Sequence, residues 1–280
     1  MEKYFNIRYV FGKERVWNRI DQQIATGDSG YICVADGVVV NNVQRDLKYR
    51  ETVDGSMFSI CDSGWVPMYL RWIYGIERKQ YCGPMIFKDL VEQGKYRMIF
   101  MGTNQKTLDS LQQELAKMNP EVMNMTFCEL PFKSVEDFDY PAIAQMIEED
   151  KADIIWVALG APKQDFFMSL LKPHLKRGVM IGVGAAFNFY SGTGEKRAPQ
   201  WVIRMHMEFV YRIMQSPKNK SNVVGVSLLL CQSCFGRSGR EKSNYAMKFD
   251  NDFLDTLIGK AKGSLRLLRV GHSGVQEREV

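Results

Sequence analysis

Two apolar runs, each ending in a glycine turn, decide the fold of this chain: Asp153-Ile154-Ile155-Trp156-Val157-Ala158-Leu159-Gly160-Ala161-Pro162-Lys163-Gln164 and Gly178-Val179-Met180-Ile181-Gly182-Val183-Gly184-Ala185-Ala186-Phe187. Each run has the length and the β-branched content of a buried strand. In an open parallel sheet, the loops that follow such strands meet at the carboxyl edge, where ligands bind. The sequence therefore predicts two neighbouring loops that contribute to one binding site.

Predicted strands and helices alternate along the rest of the chain, with short glycine-marked turns between them. The other strands are predicted at residues 4–11, 31–35, 57–61, 97–101 and 122–128. Helices are predicted at residues 13–26, 38–52, 65–74, 83–92, 105–118, 141–149 and 200–215. Alternation of this kind is typical of an α/β fold with a Rossmann-like, doubly wound, mainly parallel sheet.

Length and composition indicate a folded protein with a full-sized core: the chain has 280 residues, of which 45% are hydrophobic and 25% are charged. The first residues lack the basic and apolar regions of a signal peptide, and no run reaches the ~18 apolar residues of a membrane span. We therefore expect a cytoplasmic protein. Its six cysteines are expected to be reduced, and the Cys231-x-x-Cys234 pair has no second pair and no nearby histidine with which to hold zinc.

Positive charge is concentrated at the C-terminal end. The net charge is +5, and residues 201–280 carry 13 Lys or Arg against 7 Asp or Glu. Such an excess suits nucleic acid, an anionic membrane or a phosphorylated ligand, and it also occurs on plainly solvated surfaces. The apolar segment 223–235, with basic residues on both sides, fits a membrane interface and a core element equally well. We predict a Rossmann-like domain at 1–217 and a basic, partly apolar, helical appendage at 218–280.

The predicted strand ends carry residues with the chemistry of a transferase site. Asp62 follows an apolar strand and precedes a small-residue turn, so it is a candidate base at the carboxyl edge; from the residues alone, an Asx turn or a helix cap is the commoner interpretation. Gly160, Gly182 and Gly184 let the backbone approach a nucleotide, or they only allow tight strand-to-helix packing. Gln164 can bind a base, a ribose or a sugar, or lie exposed in the first turn of a helix.

Stabilisation of a leaving diphosphate requires positive charge. Lys196 and Arg197 can grip a diphosphate, or they belong to a solvated loop. No Asp-x-Asp lies at a strand end to hold a metal ion. We therefore expect a metal-independent site in which cations and backbone amides stabilise the leaving group.

Four motifs follow one another in the second half of the chain: Ala158-Leu159-Gly160-Ala161-Pro162-Lys163-Gln164-Asp165, Gly182-Val183-Gly184-Ala185-Ala186-Phe187-Asn188, Lys196-Arg197-Ala198-Pro199, and Met207-Glu208-Phe209-Val210-Tyr211-Arg212 with Pro217. In order and spacing they closely resemble the signature of the WecG/TagA/CpsF glycosyltransferases, glycosyltransferase family 26. The resemblance implies an inverting transferase without cofactor that moves a hexose-type sugar, such as N-acetylmannosamine, glucose or a uronic acid, from a UDP-sugar to a polyprenyl-diphosphate-linked saccharide in surface polysaccharide biosynthesis.

The same resemblance implies a cellular location and binding partners. It implies a peripheral protein on the inner face of the cytoplasmic membrane, with its C-terminal residues on the anionic surface. No nucleic-acid partner is expected, and homo-oligomerisation is left open.

The resemblance also assigns roles to residues. Cys61-Asp62-Ser63-Gly64 stands in the place of the family's Ala-Asp-Gly motif, which implies that Asp62 is the catalytic base. It implies a donor site formed by Asp36, Gly102, Gly160, Gln164, Gly182, Gly184, Lys196, Arg197 and Arg212. Gln80 and Asn188 are assigned to the acceptor site. Arg212 lies four residues after Glu208 and can instead pair with it on one helix face.

The chain departs from the family pattern at several of these positions. Asp36 stands where the family has the Asn of a Thr-x-Asn motif, Gln80 where an arginine is usual, Asn188 where an aspartate is usual, and Asp165 where a glutamate is usual. We interpret these departures as a change of sugar or acceptor. The alternative is a non-catalytic, membrane-associated member of a polysaccharide assembly complex. A nicotinamide-dependent oxidoreductase is disfavoured, because the first strand-turn-helix lacks Gly-x-Gly-x-x-Gly.

Overall fold

The computed structural model describes residues 1–192, apart from the side chains of Trp65, Tyr69, Trp72 and Ile73. These residues form one eight-stranded sheet flanked by helices. The strands are β1 (Glu2–Tyr4), β2 (Ile7–Tyr9), β3 (Ser29–Ala35), β4 (Phe58–Cys61), β5 (Met98–Gly102), β6 (Thr126–Cys128), β7 (Ile154–Ala158) and β8 (Gly178–Gly182). The helices are α1 (Lys13–Thr26), α2 (Gly37–Arg45), α3 (Leu47–Asp54), α4 (Trp65–Tyr74), α5 (Gly83–Gln93), α6 (Gln105–Ala116), α7 (Tyr140–Asp150), α8 (Lys163–Leu171) and α9 (Ala186–Ser191).

The strand order is β1-β2-β4-β3-β8-β7-β5-β6. β1 and β2 form an antiparallel hairpin at one edge, and the other pairings in this sheet are parallel. In the centre, Ile32 of β3 lies opposite Phe58 of β4 and Ile181 of β8. The prediction of an α/β fold with a mainly parallel sheet is confirmed.

Both faces of the sheet are buried. Along β7, Ile155 and Val157 belong to one hydrophobic cluster, whereas Ile154 and Trp156 belong to a second cluster on the opposite face. This alternation is the two-residue period of a strand. Because both faces are covered, the strand is a continuous apolar run, as its sequence predicts.

Helices cover each face in two groups. The first cluster includes buried residues of α2, α3, α4, α7 and α8, and the second includes residues of α1, α5, α6 and α9. α1 buries Val16 and Ile20, one helical turn apart, as its apolar period predicts. Since parallel strands need crossover connections, the loops at the carboxyl edge of the sheet lead into these helices.

Two predicted elements are each divided in the structure. The strand predicted at 4–11 is the β1–β2 hairpin, because Phe5 and Asn6 have φ of 51° and 59° and make a two-residue turn. The helix predicted at 38–52 is α2 followed by α3. Asp46 separates them, and its Oδ1 accepts a hydrogen bond of 3.1 Å from the Tyr49 N–H to cap α3.

The strand predicted at 122–128 is shorter than expected. Its first part is a 3-10 turn, Pro120–Asn124, and only Thr126–Cys128 pairs with β5. The helix predicted at 200–215, the domain boundary at 217 and the C-terminal appendage lie outside the described residues and stay predictions. No helix within residues 1–192 has the length and apolarity needed to cross a membrane.

Candidate active site

Five adjacent strands of the sheet, β4, β3, β8, β7 and β5, bring most of the predicted site residues of the described region to its carboxyl edge. Asp62 follows β4, and Asp36 follows β3. The turn at Gly184 follows β8, the turn at Gly160 follows β7, and Gly102 ends β5. Residues that are far apart in sequence therefore meet along one edge of a parallel sheet, which is the usual position of a ligand site.

Hydrogen bonds from both its backbone and its side chain hold Asp62 at the end of β4. Its Oδ1 accepts from the Gly83 N–H at 2.7 Å, and its own N–H donates to the Ala35 carbonyl at 3.1 Å. The Gln80 side-chain amide donates to the Asp62 carbonyl at 2.7 Å. Because Gly83 opens α5, the carboxylate lies at the positive end of a helix, which favours negative charge. The side chain is partly exposed, so it is fixed in orientation and accessible to a substrate.

The start of α5 fills the space between three strand ends. A Cβ atom on Gly83 would lie 3.1 Å from Val34 Cγ1, 3.7 Å from Asp62 Oδ1 and 3.9 Å from the Val183 carbonyl oxygen. The Tyr190 hydroxyl of α9 also donates to the Pro84 carbonyl at 2.9 Å. The Asp62 loop and the loop after β8 are thus parts of one site, joined by the first turn of α5.

Asp36 has a structural role in addition to any role in binding. Its Oδ1 accepts hydrogen bonds from the Val38 and Val39 N–H groups at 2.9 and 3.0 Å, so it is the N-cap of α2. Gly102 also has a structural reason: its φ is +130°, and a Cβ there would lie 2.6 Å from the Ala158 carbonyl oxygen. The donor-site roles predicted for these two residues stay predictions.

Gln164 is buried between the two glycine loops. Only 3% of it is exposed, and its Oε1 accepts from the Gly160 N–H at 3.1 Å. A Cβ on Gly182 would lie 2.9 Å from Gln164 Nε2, and a Cβ on Gly184 would lie 3.5 Å from Gln164 Oε1. The alternative of an exposed first-turn residue is therefore wrong. Gly182 leaves room for the Gln164 side chain, whereas Gly160, with φ +76°, has open space on its Cβ side.

A family model described as "Glycosyl transferase WecG/TagA/CpsF family" matches residues 5–241 of the chain. The chain belongs to this family. It is also similar to proteins named N-acetylglucosaminyldiphosphoundecaprenol N-acetyl-beta-D-mannosaminyltransferase. The relative from Bacillus subtilis is 28% identical over 67% of this chain and 75% of its own length. The relatives from Bacillus spizizenii and Staphylococcus aureus are 25% and 22% identical, and the matches cover 72% and 78% of their lengths.

The remaining predicted site residues of this WecG/TagA/CpsF family member fall in different places. Asn188 lies on the exposed surface of α9, and its carbonyl accepts from the Ser191 hydroxyl at 3.3 Å. Lys196, Arg197 and Arg212 lie outside the described residues. Within residues 1–192, no group of three or more His, Cys, Asp or Glu side chains is arranged to hold a metal ion.

Three residues near the loop after β7 make contacts that the sequence did not predict. Lys163, the first residue of α8, places its Nζ 4.9 Å from the ring centroid of Phe132, which is fully exposed. Asp165, two residues later, is fully buried. Lys163 and Asp165 lie inside a quoted motif, but the sequence contains no signal for the direction in which either side chain points.

Proposed function

We propose that this protein is an inverting glycosyltransferase that transfers a hexose-type sugar from a UDP-sugar to a polyprenyl-diphosphate-linked saccharide. The observation that carries the proposal is the Asp62 carboxylate, which the Gly83 N–H orients at the carboxyl edge beside the glycine loops. Membership of the family supports a glycosyltransferase. The names of the relatives support an acceptor in which a sugar is linked to a polyprenyl diphosphate.

In the proposed mechanism, Asp62 acts as a general base. It removes the proton of the acceptor hydroxyl, and the oxygen attacks the anomeric carbon on the face opposite the departing UDP. A single displacement of this kind inverts the anomeric configuration. The hydrogen bonds that hold the Asp62 loop keep the carboxylate in one position before the substrate arrives, which lowers the entropic cost of reaction.

The departing UDP needs positive charge and hydrogen-bond donors. In the proposal, Lys196, Arg197, Arg212 and backbone amides of the loops supply them without a metal ion. Residues 218–280 bind the anionic inner face of the cytoplasmic membrane, where a polyprenyl-linked acceptor is anchored. Gln80 and Asn188 are proposed to contact the acceptor.

The relatives' names include an N-acetylmannosaminyl group and an N-acetylglucosaminyl-diphosphoundecaprenol acceptor. For this chain we propose a sugar of the same general class and a donor or acceptor specificity of its own. The reason is that Asp36 and Gln80 replace the usual asparagine and arginine. Asp36 still caps α2, and Gln80 still supports the Asp62 loop, so both replacements are compatible with the fold.

Measurement of UDP release tests this proposal. Each of a panel of UDP-sugars is mixed with the full-length protein and a detergent-solubilised polyprenyl-diphosphate-linked sugar. We expect acceptor-dependent release with at least one donor. If a folded protein releases no UDP with glucose, galactose, mannose, their N-acetylated forms and uronic acids as donor sugars, the catalytic proposal is wrong and the non-catalytic alternative takes its place.

A further inference from the structure

Asp165 is a carboxyl group buried in the core immediately after Gln164. It lies in the first turn of α8 and is 0% exposed. The Tyr49 hydroxyl, from α3, donates a hydrogen bond of 2.5 Å to Asp165 Oδ2. Tyr49 is also buried, and its ring lies edge-on to that of Phe166, with 5.4 Å between centroids. A polar and an aromatic contact therefore fix α3 to the first turn of α8.

This environment is unfavourable for a carboxyl group with a purely structural role. Asp165 Oδ1 is inaccessible to solvent and has no hydrogen-bond partner within the described part of the chain. Burial raises the pKa of Asp165 to about 7, the charge of Asp36 acts in the same direction, and the Tyr49 hydroxyl and the Cys33 thiol oppose both. Because an apolar side chain would avoid this unsatisfied atom, the carboxyl group calls for a further explanation.

The explanation lies in the neighbouring residue. Gln164 precedes Asp165 in the same helical turn, and its Oε1 accepts a hydrogen bond from the Gly160 N–H. The Gln164 side chain also occupies the space beside Gly182, where Nε2 lies 2.9 Å from the position that a Cβ would take. A small rotation of the first turn of α8 would therefore move the contacts that Gln164 makes with both glycine loops.

We propose that Asp165 and Tyr49 are positioning residues that set the orientation of Gln164, and through it the spacing of the loops at Gly160 and Gly182. Tyr49 anchors the carboxyl group, and the carboxyl group anchors the first turn of α8. The functional consequence rests on the proposed function, because it assumes that these two loops bind the UDP part of the donor.

The proposal implies that UDP binding depends on pH through the ionisation of Asp165. The titratable groups that face it are Tyr49 from α3, Tyr31 and Cys33 from β3, and Asp36 after β3. Burial raises the pKa of Tyr49 and Cys33, and that of Tyr31 to about 12, so these three stay protonated near neutral pH. As the pH rises past about 7, Asp165 acquires a buried charge that its few neighbouring donors do not fully satisfy, and we expect weaker UDP binding.

The test uses Tyr49→Phe, which removes only the hydroxyl, with Tyr140→Phe as a matched control. Tyr140 belongs to the same core cluster and its ring packs against Phe167 of α8, but its hydroxyl donates to the Val135 carbonyl at 2.5 Å and not to Asp165. In the full-length protein, amide exchange of Gly160 is followed by NMR and UDP affinity by calorimetry. We expect Gly160 exchange to become about tenfold faster and UDP binding about tenfold weaker in Tyr49→Phe, with neither change in the control.

A second variant tests the pH dependence. Asp165→Asn keeps the size of the side chain and cannot ionise. UDP itself titrates at about pH 6 in both proteins, so the UDP affinity of the variant is expected to decrease less between about pH 6 and about pH 8 than that of the wild type. If Tyr49→Phe does not fold, this pH comparison tests the proposal in its place.

Equal Gly160 exchange in Tyr49→Phe and Tyr140→Phe would overturn the positioning role, and so would a wild-type pH dependence in Asp165→Asn. If the wild-type protein does not bind UDP at all, the proposed donor is wrong. The Gly160 exchange rates, corrected for intrinsic exchange, still decide the positioning role in that case.

Discussion

The two halves of the carboxyl edge hold their polar residues in different ways. On the β3 and β4 side, Asp36 and Asp62 accept hydrogen bonds from backbone N–H groups and stay partly exposed. On the β7 and β8 side, Gln164 is buried against Gly160 and Gly182. Side chains in the first half can change without disturbing the core, whereas those in the second half are fixed by packing. Specificity can therefore vary in the first half at lower cost to stability.

Gly102→Ala is expected to have the largest effect on stability, because Gly102 pairs with Ala158 of β7, on the side of the edge that is fixed by packing. The new Cβ would lie 2.6 Å from the Ala158 carbonyl oxygen, and a φ of +130° is unfavourable for alanine. We expect a loss of about 3 kcal/mol or more in the free energy of unfolding. Gly160→Ala is the control, since it has a positive φ but open space, and a loss of about 1 kcal/mol is expected. Equal losses by urea denaturation would contradict the packing account.

Asp165→Asn is expected to change the pH dependence of stability. The pKa of Asp165 is raised to about 7 in the fold, above its ordinary value, so the folded chain keeps a proton that the unfolded chain releases. Between about pH 4 and about pH 7, rising pH therefore destabilises the wild type relative to the variant by up to about 1.4 kcal/mol per pH unit. Thermal unfolding across this range measures the difference. Parallel curves for wild type and variant would show that Asp165 does not titrate in this way.

Gln80→Ala is expected to have a moderate effect that is confined to the partly exposed half. It removes the 2.7 Å hydrogen bond to the Asp62 carbonyl, and we expect a loss of about 1 kcal/mol in stability together with slower transfer. Gln145→Ala is the matched control, because Gln145 makes an exposed hydrogen bond to Glu149 on α7. Equal transfer rates in the two variants would show that Gln80 does not position Asp62.

Asp36→Asn is expected to have the smallest effect on stability. Asparagine caps helices as well as aspartate does, so the free energy of unfolding should change by less than about 0.5 kcal/mol. Asparagine is the residue of the family motif that this segment resembles, and we expect the variant to change the preference among UDP-sugars. If the variant has the same donor preference as the wild type, Asp36 does not contribute to the donor site.

The sheet and the loops at its carboxyl edge were predictable from sequence, because apolar runs of strand length alternate with helical patterns and end in glycine turns. The turn at Phe5 and Asn6 was not, since phenylalanine carries no signal for a positive φ. The burial of Gln164 depends on a loop that begins about twenty residues later, and the Tyr49–Asp165 hydrogen bond joins residues 116 positions apart. Local pattern does not encode contacts of this kind.

The position of Asp62 was predicted correctly as the end of a strand beside the glycine loops, but the sequence left its role open between a base and a cap. The structure places its Oδ1 on the Gly83 N–H, so the carboxylate supports the first turn of α5 and still reaches solvent. This hydrogen bond gives the carboxylate a structural role, and its role as a base stays a prediction. Only a measurement of rate separates them.

The most direct test of the account is the single-turnover rate of sugar transfer by Asp62→Asn, measured with a donor that the wild type uses. Asp139→Asn is the matched control, because Asp139 caps α7 with an exposed carboxylate. We expect that Asp62→Asn folds, binds UDP and transfers sugar about 10²–10⁴-fold more slowly, whereas Asp139→Asn retains the wild-type rate. A wild-type rate in Asp62→Asn would contradict the assignment of Asp62 as the base.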